Sequence, residues 1–582
     1  MTDDLRARAH EWAEQDPDPN TQAELRKLLD AKDLASTDLA DRFAGSLEFG
    51  TAGLRGVLGA GPNRMNRAVV LRTTWGLATY LKEAVPDVAG RGVVIGFDGR
   101  RMSREFAADT AGVLASFGIK VLLFTDYAPT PLTAFAVHAH CAGAGVMVTA
   151  SHNPPEYNGY KAYWGNAAQI VPPVDKGIAA AIDRAPPARA VPRLTLEDAR
   201  ARGLVQDLGE PTERKYLDAI GALSVKGRGD RTLGIVYTPM HGVGGKLATK
   251  AFAEAGFARF VSVPEQAEPD GAFPTVSFPN PEEKGAMDLS FALARKESAD
   301  LVLANDPDAD RLAVAVPKEG TPTGYVQLTG NQVGVLLGHY LLTERENKAQ
   351  KRLVIASIVS SPMLGVIAGK LGVRYEETLT GFKWIANRAM QLEAEGATFV
   401  YGYEEALGYT VGDVVRDKDG ISAALVFAEL VATFRQRGKT VLGELEAIYR
   451  KYGLFVSSQV NITKKGADGA AQIKAMMTRL RAATPVRIGS HPVVAVSDYD
   501  AQTRRETDGA SGPLSLPTSN VLAFELKGGS RIIARPSGTE PKIKFYFDVR
   551  EPMRDGETLA DAEARANETM RALADSFVKI AG

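Results

Sequence analysis

The chain has 582 residues, of which 45% are hydrophobic and 24% are charged, and its net charge is −1. This length predicts about three to five domains, each with its own core. The near-zero charge excludes a bulk attraction to nucleic acid or to an acidic membrane, so an anionic ligand requires a local cluster of cations. No apolar run reaches the roughly 18 residues of a membrane-spanning helix. We therefore expect neither a nucleic-acid nor a membrane partner.

The N-terminus and the single cysteine both favour a cytoplasmic protein. Because Cys141 is the one cysteine of the sequence, an internal disulfide framework and a cysteine-rich metal site are excluded. We expect Cys141 to be buried. The first residues, MTDDLRARAHEWAEQDPDP, lack the apolar segment of a secretory signal. Leu25, Leu28 and Leu29 have helical spacing, which predicts a helical extension over residues 1–45.

Apolar strands alternate with amphipathic helices over most of the chain. The segment 104–118, for example, has helical periodicity and ends in a glycine suited to a C-cap. Such alternation is typical of βαβ units and parallel sheets. We predict three tandem, similar α/β domains with mixed, mainly parallel sheets. The predicted strands are 92–100, 119–126 and 144–151 in the first set, 232–240, 259–265 and 299–310 in the second, and 352–361, 373–381 and 397–405 in the third.

The C-terminal part of the chain has a different pattern. Three strand-like runs over 520–551 are separated by the turn sequences KGGS and PSGTEP, which predicts an antiparallel meander. A closing helix over 558–580 would pack on it, so we predict a fourth domain of the α+β class. The predicted division is an N-terminal extension at 1–45, domain 1 at 46–222, domain 2 at 228–335, domain 3 at 336–452 and domain 4 at 453–582.

The sequence 305-NDPDADR-311 predicts a magnesium site. Asp306, Asp308 and Asp310 follow an apolar strand, and Pro307 argues against a helix. In an extended loop the three carboxylates would converge on a cation, and all-oxygen ligands select a hard ion, Mg²⁺ before Ca²⁺. Arg311 stands where an EF-hand needs glycine, and it offers charge balance and a phosphate contact instead. The alternative is a solvated acidic turn.

The sequence 535-RPSGTEPKIK-544 predicts an anion-binding loop. An arginine provides a bidentate donor, hydroxyls and lysines surround it, and a glycine lets the backbone turn its N–H groups toward an anion. The alternative is a hairpin turn with ordinary surface charge. The residues concerned are Arg535, Ser537, Gly538, Thr539, Lys542 and Lys544.

Four further polar loops are candidates for binding. The loop 402-GYEEALGY-409 places two glutamates where they could accept hydrogen bonds from vicinal hydroxyls, and 416-RDKDG-420 adds cations. The loop 380-TGFKW-384 offers a hydroxyl and a turn glycine at another strand end. The glycine-rich 49-FGTAGLRG-56 contains Arg55 but lacks the GK[ST] of a Walker loop, so nucleotide binding is not indicated.

In the segment 147-MVTASHNPPEYNGYK-161, Ser151 lies at the end of a predicted strand. The serine lacks the flanking glycines of a GxSxG hydrolase. A phosphate on Ser151 would bring about two negative charges, which explains a need for a divalent cation beside the three aspartates. The combination predicts phosphoryl chemistry with Ser151 as the phosphate carrier.

Four motifs together resemble those of the α-D-phosphohexomutases. TASHNP with Ser151, DPDADR with Asp306, GYEEALGY with Glu404 and RPSGTEP with Arg535 occur in the family's order, one per domain. FGTAGLRG, RMN and the PDGAFPT…PNPEE stretch at 269–283 are most similar to the longer phosphoglucomutase/phosphopentomutase branch. The resemblance implies a four-domain, heart-shaped arrangement around a central cleft, in a monomer or dimer that acts on a sugar phosphate.

The resemblance also implies a reaction, the interconversion of glucose 1-phosphate and glucose 6-phosphate. Phosphorylated Ser151 donates its phosphoryl group to the sugar phosphate, and the resulting 1,6-bisphosphate turns over and returns its other phosphate. Mg²⁺ is held by Ser151 and the three aspartates, and glucose 1,6-bisphosphate is the phosphorylating activator. The residues implied near the reacting centre are Arg55, His152 and Lys161. The implied substrate-binding residues are Arg55, Arg311, Thr380, Gly381, Glu404, Lys418, Arg535, Ser537, Gly538, Thr539 and Lys544.

Several alternatives stay open. Ala406 stands where many family members have a serine two residues after Glu404, which keeps pentose phosphates open as substrates, and mannose phosphates are a further alternative. From the residues alone, LVLANDPDAD is also similar to the nucleophile strand of an aspartyl phosphatase, with Asp306 as nucleophile and Ser151 idle. A non-catalytic sugar-phosphate sensor is the third alternative.

Overall fold

The computed structural model describes residues 2–31, 38–50, 53–224, 229–344, 351–464, 468–537 and 542–582. The chain divides into two compact units. The first comprises Met1–Leu328 and Ala406–Gln436, and the second comprises Thr329–Glu405 and Arg437–Gly582. Within the described ranges, no helix combines the length and the apolar character needed to cross a bilayer.

The first unit begins with three helices. Asp18 caps the second of them by accepting a hydrogen bond from the backbone N–H of Asn20. Leu25, Leu29 and Phe43 form a small apolar cluster with Ala60, which ties the extension to the start of the first sheet domain. The helices are α1 (Thr2–Gln15), α2 (Pro19–Leu29) and α3 (Leu39–Arg42).

The first sheet has six strands in the order β1-β5-β4-β2-β3-β6. Its β2, β3 and β4 are wholly buried, as expected for strands covered on both faces. The strands are β1 (Leu54–Val57), β2 (Val93–Phe97), β3 (Val121–Phe124), β4 (Ala144–Val148), β5 (Tyr157–Trp164) and β6 (Val205–Leu208). The helices are α4 (Arg67–Ala84), α5 (Val88–Arg91), α6 (Ser103–Ser116), α7 (Thr130–Ala139), α8 (Val174–Asp183), α9 (Leu196–Ala201) and α10 (Glu210–Gly221).

The second sheet has the order β11-β10-β9-β7-β8. Its central strand, β9, is parallel to β7 and antiparallel to β10, so the chain reverses direction in the loop after β9. The strands are β7 (Gly234–Thr238), β8 (Arg259–Ser262), β9 (Leu301–Ala304), β10 (Ala313–Pro317) and β11 (Tyr325–Gln327), and the helices are α11 (Gly245–Glu254) and α12 (Asp288–Glu297).

The second unit contains a third α/β layer, in which β12 is parallel to both β13 and β14. The strands are β12 (Arg352–Ser357), β13 (Arg374–Thr378) and β14 (Thr398–Glu404), and the helices are α13 (Gly330–Thr343), α14 (Met363–Lys370) and α15 (Phe382–Ala394). The next two elements, β15 (Gly408–Val411) and α16 (Gly420–Gln436), belong to the first unit, and α17 (Val441–Tyr452) returns to the second.

The C-terminal sheet is antiparallel, in the order β16-β23-β22-β21-β18-β19-β20, with β17 paired to β18. The predicted meander is β21-β22-β23, and α19 packs on β23. The strands are β16 (Leu454–Thr463), β17 (Arg487–Ile488), β18 (His491–Asp498), β19 (Thr503–Glu506), β20 (Ser511–Pro513), β21 (Leu522–Leu526), β22 (Arg531–Pro536) and β23 (Lys542–Glu551), and the helices are α18 (Gly469–Ala482) and α19 (Leu559–Ala581).

The predicted fold class is therefore confirmed, with some local corrections. The strand predicted over 299–310 ends at Ala304, because the polar residues that follow form a turn. The strand β16 was not predicted, although it pairs with β23 along ten residues. The prediction that Cys141 is buried is wrong, since it is exposed in the turn after α7 with a φ of +50°.

Gly76 allows α4 to pack closely against α8. A Cβ at this position would lie 2.6 Å from the backbone nitrogen of Ile182. We expect Gly76→Ala to lower the free energy of unfolding by about 2 kcal/mol through overpacking. Gly221, at the end of α10 in the same unit, has nothing within 4 Å of the added Cβ, so Gly221→Ala is the matched control. Equal midpoints of thermal unfolding for the two variants would contradict close packing of α4 against α8 at Gly76.

Candidate active site

Ser151 lies directly after β4 in a sharp turn. Its φ is +52°, a left-handed conformation that is uncommon for residues other than glycine. The backbone N–H of Ser151 donates to Thr149 Oγ1 at 2.8 Å, and the N–H of Asn153 donates to the carbonyl of Ala150 at 3.1 Å. These contacts fix the turn, and the strain indicates that the surrounding structure determines the position of the hydroxyl.

Arg100 holds the loop that contains Ser151. Its guanidinium is buried and donates to main-chain carbonyls of the loop, which are those of Ser151, Asn153, Pro154 and Tyr157. Asp98 balances its charge, with Oδ2 lying 3.5 Å from Arg100 Nε. Arg100 was not predicted as a site residue, although the polar FDGR after an apolar strand is the same kind of signal that identified the other loops.

The hydroxyl of Ser151 contacts a residue of the second sheet. Ser151 Oγ donates to Asp306 Oδ2 at 2.7 Å, across 155 positions of the sequence. The same oxygen lies 3.2 Å from His152 Nδ1. The structure therefore brings together the serine and the first aspartate of the predicted metal loop.

The three aspartates after β9 converge, as predicted, but the loop is a turn. Each of Asp306, Asp308 and Asp310 is buried, and oxygens of the three carboxylates lie within 4.8 Å of one another. The prediction of an extended loop is wrong, because the N–H of Ala309 donates to the carbonyl of Asp306 at 2.8 Å and Ala309 has a φ of +57°. A turn over residues 306–309 gathers the carboxylates more closely than a strand would, since alternate strand residues are widely spaced.

Three cationic side chains and one hydroxyl lie close to the carboxylates. Lys161 Nζ, from β5, lies 2.7 Å from Asp308 Oδ2 and 2.9 Å from Asp310 Oδ2. Lys418 Nζ lies 3.1 Å from the same oxygen of Asp310. Arg311 Nε is 4.0 Å from Asp306 Oδ2. A further donor that the sequence analysis missed, the hydroxyl of Thr130 at the start of α7, lies 2.6 Å from Asp308 Oδ2.

The pKa values of Asp306 and Asp308 are shifted in opposite directions. Burial, and then the charges of Asp308 and Asp310, raise the pKa of Asp306 well above its usual range. Burial also opposes ionisation of Asp308, but the Lys161 ammonium outweighs it and lowers the pKa of Asp308. The cluster therefore contains more negative charge than its own cations stabilise.

The residues fit a hard divalent cation such as Mg²⁺. Asp308 Oδ1 and Asp310 Oδ1 are buried and have no hydrogen-bond partner among the described residues. Unpaired buried carboxylate oxygens are costly unless a cation binds them, and oxygen ligands suit Mg²⁺. Asp306, Asp308, Asp310 and the oxygen of Ser151 would supply these ligands.

His152 and Arg55 border the loop of Ser151. Burial, and then the charges of Arg311 and Arg55, lower the pKa of His152 well below its usual range, so the ring is neutral near pH 7. Arg55 is exposed on β1 and donates to Asn153 Oδ1 at 3.0 Å. Of the three residues implied near the reacting centre, His152 is the one in contact with Ser151 Oγ, whereas Lys161 contacts the aspartates.

In the second unit, three predicted binding residues lie together. The N–H of Gly381 donates to Glu404 Oε1 at 2.6 Å, and Gly381 has a φ of +117° that favours glycine. The hydroxyl of Thr380 is buried without a hydrogen-bond partner among the described residues. Glu405 instead accepts hydrogen bonds from the hydroxyls of Ser357 and Ser360, so the two glutamates of the loop have different surroundings.

The predicted anion-binding residues follow in the C-terminal sheet. Arg535 on β22 and Lys544 on β23 are directly opposite in register, which places both side chains on one face. The N–H of Ser537 donates to the carbonyl of Lys542 at 2.7 Å. Gly538 and Thr539 lie outside the described residues.

Comparison with known proteins gives one consistent result. Phosphoglucomutase/phosphomannomutase profiles match the chain four times: alpha/beta/alpha domain I at residues 46–189, domain II at 214–320, domain III at 329–452 and the C-terminal domain at 471–566. The chain is 42% identical over 490 residues to a probable phosphomannomutase of Haemophilus influenzae, covering 84% of this chain and 93% of that protein. It is 38% identical over 586 residues to a probable phosphoribomutase of Schizosaccharomyces pombe, covering 97% and 96%. A putative phosphomannomutase of Thermus thermophilus shares the fold, with a TM-score of 0.66 and 22% identity over 92% of this chain and 99% of that chain.

Mg²⁺ should stabilise the protein through the three aspartates. We expect a Mg²⁺ concentration of 100 times the dissociation constant to stabilise the wild type by about 2.7 kcal/mol. Asp310→Asn removes a charge from a carboxylate with an unpaired oxygen and should abolish most of this gain. Asp288→Asn, an exposed change on α12, is the control. Calorimetric titration that gave Asp310→Asn the wild-type affinity for Mg²⁺ would place the metal elsewhere.

Proposed function

We propose, from the premise that the chain belongs to the phosphoglucomutase/phosphomannomutase family and is a phosphosugar mutase, that Ser151 carries the transferred phosphoryl group between glucose 1-phosphate and glucose 6-phosphate. The observation that carries the proposal is the 2.7 Å contact between Ser151 Oγ and the buried Asp306. A hydroxyl held beside a three-carboxylate cluster is poorly explained by a triad hydrolase or by a surface turn. It is well explained by a phosphate that alternately occupies this position.

The proposed transfer is a displacement at phosphorus. The free hydroxyl of the sugar phosphate attacks phosphoserine 151, so that a phosphorus–sugar oxygen bond forms while the bond to Ser151 Oγ breaks. The attacking hydroxyl loses its proton and Oγ gains one. The bisphosphate then presents its other phosphate to Ser151, and the reverse displacement restores the phosphoenzyme and releases the isomeric monophosphate. When bound, Mg²⁺ supplies electrostatic stabilisation of the charge on the transferred group.

The neighbouring side chains have separate parts in this transfer. Lys161 reduces the repulsion between Asp308 and Asp310, which otherwise oppose the approach of a phosphate dianion. His152 lies within hydrogen-bond distance of Oγ, and we propose that it holds the proton that Oγ gains or loses. Arg55 and Arg311 are proposed contacts of the reacting phosphate.

Four residues of the second unit are further proposed substrate contacts. The hydroxyl of Thr380, which has no hydrogen-bond partner among the residues that the structure describes, and the Glu404 carboxylate are suited to bind sugar hydroxyls. Arg535 and Lys544 are suited to bind the phosphate that does not react, as planar and point-charge donors respectively. Lys418, with Nζ at Asp310, is proposed to contact the sugar bisphosphate from the first unit. Glucose 1,6-bisphosphate would phosphorylate Ser151 in resting enzyme.

The phosphoryl carrier is tested at Ser151. Intact mass spectrometry should find a stable addition of about 80 Da that maps to Ser151, the mass of one phosphoryl group. Ser151→Ala should lower mutase turnover by at least about 10³-fold, because the covalent intermediate cannot form. Ser298, another serine with positive φ in the same unit, gives the matched control Ser298→Ala. Phosphate on Asp306 together with full activity of Ser151→Ala would favour the aspartyl phosphatase instead.

Pentose phosphates are a second candidate substrate, favoured by Ala406. The hydroxyl that many family members have at this position is missing, and the similar protein of Schizosaccharomyces pombe is a probable phosphoribomutase. If this hydroxyl contacts hexoses, Ala406→Ser should raise kcat/KM for glucose 1-phosphate relative to ribose 1-phosphate by about 10-fold, the effect of one hydrogen bond. A parallel assay with glucose, mannose, ribose and deoxyribose 1-phosphates ranks the substrates. An unchanged ratio would show that position 406 does not select the sugar.

A further inference from the structure

The loop 269-PDGAFPT-275 has no part in the proposed transfer, yet its backbone is strained at a bulky residue. Phe273 is buried and has a φ of +48°. A left-handed conformation costs about 1–3 kcal/mol for such a residue and persists only where the surroundings enforce it. We therefore expect contacts that hold the loop in this conformation and a contact that Phe273 makes in it.

The second sheet domain holds the loop at both ends. The N–H of Asp270 donates to the carbonyl of His241 at 3.0 Å, and the N–H of Phe273 donates to the carbonyl of Asp270 at 3.0 Å. Thr275 Oγ1 lies 2.8 Å from His241 Nε2 and accepts from Gln266 Nε2 at 2.9 Å. The loop is thus hydrogen-bonded to the second sheet domain through Asp270 and Thr275.

The contact that the strained conformation provides is to Arg100. The Phe273 ring centroid lies 4.9 Å from Arg100 Cζ. The in-plane donors of the guanidinium are directed to the loop of Ser151, which leaves its faces for another contact, and an aromatic ring is suited to such a face. Burial lowers the pKa of Arg100, and a ring over the cation offsets part of this cost of desolvation.

The two backbones also pack closely, without room for side chains. A Cβ on Gly271 would lie 2.7 Å from the carbonyl oxygen of Gly99 and 2.8 Å from the nitrogen of Arg101. A Cβ on Gly99 would lie 3.0 Å from Pro269 Cβ. These glycines let the loop reach the turn that contains Arg100.

We propose that residues 269–275 form a clamp, in which Phe273 is a positioning residue for phosphoryl transfer. The clamp fixes the guanidinium of Arg100, which in turn fixes the carbonyls of the loop and the direction of Ser151 Oγ. The metal loop and the clamp both belong to the second sheet domain, so Ser151 is held relative to its aspartates by two independent contacts. This inference rests on the proposed role of Ser151 as the phosphoryl carrier.

The test is Phe273→Leu, which keeps an apolar side chain but removes the ring over Arg100. We expect kcat for glucose 1-phosphate to fall on the order of 10- to 100-fold, the usual result of a misplaced reacting group. KM should change by less than about 3-fold, because the proposed contacts to the non-reacting phosphate lie in the second unit. Amide exchange should increase in residues 150–157. Phe291→Leu is the matched control, since it removes a ring in the same domain that stacks on Tyr325, with 6.3 Å between the ring centroids.

A double-mutant cycle with Arg100→Lys tests the route of the effect. Lysine cannot donate to the loop carbonyls in the same plane, so in this background Phe273→Leu should cost less than about 3-fold in kcat. Gly271→Ala, which displaces the clamp from Arg100, should reproduce the fall in kcat and replaces Phe273→Leu if that variant does not fold. Unchanged kcat in these variants, or effects that multiply in the double mutant, would overturn the clamp. If wild-type Ser151 carried no phosphate, the proposed function would fail instead, and the exchange of residues 150–157 would still report on the clamp.

Discussion

The hydrogen bond from Ser151 to Asp306 fixes the position of the two loops on which the rest of the site depends. The donor follows β4 of the first sheet, and the acceptor follows β9 of the second. Both loops leave the carboxyl ends of their strands, where open parallel sheets place their functional groups. Because the acceptor is buried and repelled by two other carboxylates, the contact is only stable with compensating charge nearby. Lys161 and Arg311 are therefore part of the same constraint, as is the capacity to bind a divalent cation.

Much of the fold and of the site could be predicted because the signals are local. Buried parallel strands are continuous apolar runs, and the residues that end them are polar, so Ser151 and the three aspartates stand out in the sequence. The family is confirmed by the profiles that match all four domains. The prediction of an extended metal loop was wrong because Pro307 restricts the backbone conformation of the preceding residue but does not specify which turn follows.

The residues that were missed act over long sequence separations. Arg100 contacts carbonyls that lie 51 to 57 positions away, and Thr130 contacts an aspartate 178 positions away. A carbonyl has no sequence signal of its own, so FDGR after a strand marks Arg100 as part of a candidate loop without showing which carbonyls it binds. The sequence also does not distinguish the adjacent Glu404 and Glu405. In the structure, Glu405 accepts hydrogen bonds from two serine hydroxyls.

Some of the strained backbone positions of the first unit lie in the loops of the proposed site. Positive φ values occur at Ser151 in the serine loop, at Ala309 in the metal loop and at Phe273 in the clamp. Strained residues cost stability unless the structure around them determines their conformation, and they are concentrated where function depends on position. The buried strands β4 and β9 lead directly into the serine loop and the metal loop. Selection for stability alone would favour glycine at such positions. At position 151 the hydroxyl prevents that solution, because the side chain that strains the backbone is also the one that contacts Asp306.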